Sequence, residues 1–118
     1  MLRFTLLLLT SFALGGCALT RVSEARHAKD VEGLNAVGFT LEEARTIATQ
    51  NGFACEAQPE RNRSVQTKTG VRKTDVLQCN KSSAELICPQ RRYVVFNIDP
   101  ESAKVYSVGK RINPQSCF

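Results

Sequence analysis

Residues 4–14 form an apolar run that stops on two glycines and a cysteine, Leu14-Gly15-Gly16-Cys17. One positive charge at Arg3, about eleven mostly apolar residues and a small-residue stop are the layout of a secretory leader. As a helix the run reaches only about 16 Å, half of the ~30 Å hydrocarbon core, too short for a permanent span. Removing residues 1–16 of 118 leaves 102, enough for one small domain. A core of that size is modest and calls for covalent support.

The motif Leu14-Gly15-Gly16-Cys17 resembles the lipobox of bacterial lipoproteins, with Leu three residues before the cysteine and small residues between. The resemblance implies a diacylglyceryl thioether on Cys17, cleavage before it and acylation of the new amino group. Two or more chains, at ~0.8 kcal/mol per buried CH₂, anchor stably. Ala18, where an aspartate would retain the protein in the inner membrane, implies an address in the outer membrane facing the periplasm. The alternative is an ordinary secretory leader with Cys17 beside its cleavage site.

With Cys17 assigned to lipid, four cysteines remain: Cys55, Cys79, Cys88 and Cys117. An even number in a small exported domain reads as two disulfides. Their spacings of 24, 9 and 29 residues contain no C-x₂-C pair, so neither zinc nor another metal or cofactor is expected. In an up-and-down sheet all four gather at one end. The uncrossed pairings are Cys79–Cys88 with Cys55–Cys117, or Cys55–Cys79 with Cys88–Cys117. Loop-closure entropy is about 7 kcal/mol for either set and does not choose. The first is preferred, because Cys79 and Cys88 flank a tight turn.

Residues 17–37 are polar, lack a sustained apolar period and read as the lipidated cysteine followed by a flexible tether. The domain is expected over 38–118. Thr40 with Glu43 three residues on is a capping box, and Phe39 can staple onto Ala44. Leu41, Ala44, Ile47 and Ala48 make one apolar stripe of a short helix that Gly52 ends. Alternation then predicts strands at 53–57, 71–80, 86–98 (broken at Pro89) and 104–108. Leu77 and Cys79 share one face, as do Val94, Phe96 and Ile98. Residues 58–70 read as a long polar loop, Asp99-Pro100 as a turn, and 109–118 as an irregular tail. The expected fold class is α+β, one short helix packed on a four-stranded antiparallel meander with two disulfides.

Chemistry-bearing groups are sparse. The single histidine, His27, falls in the expected tether, the cysteines are oxidised or acylated, and no phosphate loop is present, so no enzyme activity is expected. Glu42, Glu43, Glu85, Asp99 and Glu101 sit at a helix start or in turns, where capping and solvation account for them. Sixteen basic residues less Arg3, against 11 acidic ones, leave a mature charge of +4. Arg61, Arg63, Lys68, Arg72 and Lys73 cluster on the 58–70 loop and the strand after it, and Arg91, Arg92 and Tyr93 form a second basic stretch. Either run serves an anionic partner or is simply a solvated face; an exported address and the lack of interleaved aromatics exclude nucleic acid.

A lipobox, a short spacer and a Gly38-Phe39-Thr40-Leu41-Glu42-Glu43-Ala44 helix leading into an antiparallel sheet resemble the BamE-type (SmpA/OmlA) envelope lipoproteins. The resemblance covers residues 38–56 and implies a binding scaffold. The chain departs from it by having one clear helix where that family has two, and by its four extra cysteines. The expected function is a membrane-anchored, non-catalytic binding or scaffold module for an envelope protein. The alternative is an inhibitor or immunity lipoprotein directed at a periplasmic enzyme or toxin, and a third reading is contact with lipid or cell-wall polymer through the basic loop.

Overall fold

Helix formation around Thr40 follows the local chemistry. In the computed structural model, which describes residues 21–84 and 88–114, the Thr40 hydroxyl accepts the Glu43 N–H and the Glu43 carboxylate accepts the Thr40 N–H. The helix they start is not the first. Helix α1, Glu24–Leu34, precedes it, and the capped helix, Leu41–Gln50, is α2. Gly52, at φ 86°, closes α2 in a Schellman motif: Phe53 N–H donates to Ala48 O and Gly52 N–H to Thr49 O, both at 3.0 Å. Ala44 and Ala48 are fully buried, so α2 approaches the sheet closely, with Leu41 and Ile47 half-buried beside them.

The flexible tether expected over 17–37 is corrected over Glu24–Leu34 by α1; its first residues, 17–20, lie outside the described residues. Ser23 caps its start by accepting the Arg26 N–H, and Asn35, at φ 51°, ends it. His27, Val31 and Leu34 are buried, one stripe at i, i+4 and i+7, and Val31 and Leu34 belong to the main core. An 11-residue helix does not persist alone in water, so this docking is what forms it. Among the described residues the domain has two helices, not one, and includes residues 24–34.

The sheet is five-stranded and antiparallel: β1, Ala54–Cys55; β2, Glu60–Thr67; β3, Gly70–Ser82; β4, Arg91–Ile98; and β5, Val105–Asn113. The fifth strand comes from the expected 58–70 loop. Residues 60–67 pair along β3 from Glu60↔Val76 to Thr67↔Gly70, on the edge that β1 occupies further along, and β4 takes the opposite edge. The tail expected from residue 109 is likewise strand as far as Asn113, paired to Arg91.

Leu77, Cys79, Val94, Phe96, Ile98 and Val105 face the helices and, with Val31, Leu34, Ala36, Ala44, Ala48 and Phe53, make the core. Here the alternation at Leu77/Cys79 and Val94/Phe96/Ile98 holds as expected. β4 pairs only with Asp75–Ser82 of β3. The remaining part of β3 and its β2 partner therefore extend beyond the β3–β4 pairing as a two-stranded arm, roughly 17 Å long at ~3.3 Å per residue. Its two-residue tip, Lys68-Thr69, is held by Thr67, whose hydroxyl accepts the Thr69 N–H and donates to Gly70 O.

Cys55 lies directly opposite Cys79 in the β1–β3 register, and the two form a disulfide. This overturns the preferred Cys79–Cys88 and Cys55–Cys117 pairing. Turn proximity favoured Cys88, but Cys79 points into the core toward β1, and strand register sets which side chains meet. Cys88 is also disulfide-bonded. Cys117, the lipobox residues Leu14, Gly15 and Gly16, the lipidation candidate Cys17, and Glu85 lie outside the described residues.

Candidate interaction surfaces

The arm gathers the five basic residues singled out above, but as a paired structure and not as a charged loop. At its root Asn62, at φ 53°, forms a bulge, and Asp75 accepts the Asn62 N–H at 3.1 Å and the Arg61 guanidinium at 2.8 Å. Burial pushes the Asp75 carboxyl up, yet these two donors outweigh it and hold it below the usual carboxylate value. Arg63 pairs with Glu60 at 2.9 Å. Arg72 pairs with Asp99 at 3.2 Å, its guanidinium 3.7 Å from the centre of the Tyr106 ring. Lys73 donates to the Ser64 hydroxyl, and Lys68 stands at the tip. Three of the five charges are thus already balanced, and the arm also presents Val71, 69% exposed.

Of the second basic stretch, Arg92 is buried among the helices and the sheet, with Asp30 of α1 at 3.3 Å. Arg91 donates to the Ser82 hydroxyl, and Tyr93 carries Arg111 on its ring at 4.3 Å. The stretch is therefore split between the two faces of the sheet by strand alternation.

The face turned away from the helices carries a groove of about 450 Å³. Its floor follows from register: Val76 lies opposite Asn97, and Gln78 opposite Val95, which lies opposite Gly109. Arg63 and Val65 wall it from the arm, and Arg111 from β5. Among the described residues no carboxylate forms an ion pair with Arg111. A Cβ at Gly109 would sit 3.7 Å from Val95 Cβ, ordinary contact distance, so the fold does not require glycine there. Without a side chain at that point the groove stays open. Sequence reasoning missed Gly109 and Arg111 because it ended the last strand at Val108, and Gln78, Val95 and Asn97, though inside expected strands, because only cross-strand register brings them onto one face. A glycine flanked by strand residues, which leaves a gap in the row of side chains on a sheet face, was the available signal.

His27 is buried at 1% exposure, with Nε2 donating to Tyr93 O at 2.9 Å and Nδ1 unpartnered. Burial lowers its pKa, reinforced by the Arg92 charge and opposed by the Tyr93 hydrogen bond and Asp30. Lys81 donates to Asn51 O, and burial lowers its pKa too, with Arg92 adding to the effect. Among the described residues no His, Cys, Asp and Glu side chains gather as metal ligands, and no helix is long and apolar enough to cross a membrane.

No known protein family, curated protein or solved structure matches the chain.

Proposed function

We propose that the chain is an outer-membrane lipoprotein facing the periplasm, anchored through acylated Cys17, whose non-catalytic domain binds an envelope protein at the open face of its sheet. The observation that carries this reading is the groove: valines and amides on its floor, Arg63 and Arg111 at its margins, and a strand glycine holding it open. A floor of mixed apolar and amide groups with arginines at the margin is compatible with a protein-binding patch, in which arginine is enriched. The similarity to BamE-type scaffolds belongs to the same reading. So does the second disulfide: with Cys55 and Cys79 paired and Cys17 acylated, Cys88 is left to Cys117.

The test is site-specific photocrosslinking in intact cells from position 78 in the groove, with position 42 on the exposed side of α2 as control. A protein adduct at 78, absent at 42 and lost when Gly109→Leu fills the floor, is the expected result. An adduct undiminished by Gly109→Leu, or none at 78, rejects the groove.

A second reading, an inhibitor or immunity protein, draws on the arm, because a projecting hairpin with an exposed Val71 suits insertion into an enzyme cleft. A purified periplasmic target inhibited equally well by wild type and by a variant shortened at residues 66–71 would reject the arm as the inhibitory element, and a screen of periplasmic enzymes with none inhibited by the wild type would reject the reading.

A further inference from the structure

Four Cα steps separate Cys17 from Arg21, and trans peptides span at most about 3.6 Å each, so Arg21 lies within ~14 Å of the Cα of the anchoring cysteine. That segment is fastened to one pole of the sheet. Val22 N–H donates to the Gln90 side-chain oxygen at 3.0 Å, and the Gln90 amide donates back to Val22 O at 2.8 Å. Arg21 donates to Cys88 O at 3.3 Å. Gln90 is bonded in turn to Ser83, one residue past the end of β3. Ser82, Arg91 and Asn113 are register partners at the same level. The opposite end of β3, Gly70 and the arm tip, lies twelve residues away, roughly 40 Å along the strand.

We propose that the bilayer holding the Cys17 lipid is itself the occupant of this pole. The domain stands with Ser82–Ala84 and Gln90 at the head groups and points the Gly70 end of β3, with the arm tip, away from the surface. The inference rests on acylation of Cys17 as read above and adds an orientation to it. A 20-residue flexible tether, with an end-to-end distance of about 25 Å, would leave every orientation open; a start clamped to Gln90 does not. Charge agrees with the assignment. Beside this pole a recess of about 380 Å³ is lined by Arg26, Lys29 and Lys81 against one acid, Asp30, a surface suited to anionic head groups.

The chain contains no tryptophan, so single-tryptophan variants report position cleanly. Ala84→Trp and Thr69→Trp, both at exposed positions, would be made in the full chain, expressed with its leader. Purified lipidated protein would then be placed in phosphatidylethanolamine–phosphatidylglycerol vesicles with a head-group-attached quencher. Ala84→Trp emission is expected to be quenched severalfold more than Thr69→Trp. Inserting 20 Gly/Ser residues between positions 20 and 21 should remove the difference. Equal quenching of the two probes without the insertion, or stronger quenching at Thr69→Trp, overturns the orientation while leaving the anchor standing. An N-terminal peptide whose mass lacks acyl groups overturns the anchor and the orientation together.

Discussion

His27 shows how one side chain joins an element to the sheet. Its Nε2–H bond to Tyr93 O ties α1 to β4, and burial favours the neutral ring. The folded pKa therefore lies below the ordinary 6.5, and the unfolded chain binds the proton first as the solution is acidified. Stability from this group is fully present above pH 6.5 and declines as the pH falls through 6.5 toward the folded value. Urea midpoints taken at pH 7.5 and pH 5.5 should drop for wild type. His27→Phe should flatten that slope and, by losing the bond to Tyr93, lower the pH 7.5 stability by about 1 kcal/mol.

Asp75 acts in the same sense at lower pH. Its carboxyl sits below 3.8 when folded, so its contribution is present above that value and lost as the pH falls through the depressed one. Asp75→Asn keeps an acceptor for Asn62 N–H but breaks the charge-assisted bond from Arg61. A loss of about 1–2 kcal/mol is expected, with faster amide hydrogen exchange along the arm while the exchange of α2 changes little.

At the scale of elements, α2 and the β1–β3 pair set the tolerances. Ala44 and Ala48 are both at 0% exposure against the sheet, so Ala48→Leu should overpack the contact and lower stability by about 1–3 kcal/mol in thermal unfolding. The Cys55–Cys79 link closes a 24-residue separation. Cys55→Ala with Cys79→Ala should cost about 2–4 kcal/mol, and a non-reducing peptide map of the wild type should return the 55–79 crosslink. The arm behaves differently. Its strands have polar residues on both faces and depend on the hairpin, the Asp75 knot and the Arg72–Tyr106 stack, so the arm should exchange sooner than β4.

For the whole molecule, legibility followed the range of the interactions. The capping box at Thr40 and Glu43 and the αL turn at Gly52 are complete within a few residues, and the Val94/Phe96/Ile98 alternation within one strand. All were visible in the sequence. Helix α1 was not, because its stripe is His27, Val31 and Leu34 among Arg, Lys, Asp and Glu, and a histidine reads as buried only once Tyr93 O stands opposite it. β2 was not, because Glu60–Thr67 has no apolar face and is a strand only through the ladder that β3 offers. The groove was not, since its walls come from four strands.

Backbone and side-chain preferences acting over spans shorter than about ten residues set the α+β class, the second helix with both its ends, and the core faces of β3 and β4. Tertiary structure alone decided that residues 24–34 belong to the domain, that 60–67 is a strand, that Cys55 meets Cys79 and that Arg63 and Arg111 flank one groove. Each of those depends on register between segments distant in the chain, and register is fixed by what the folded core buries.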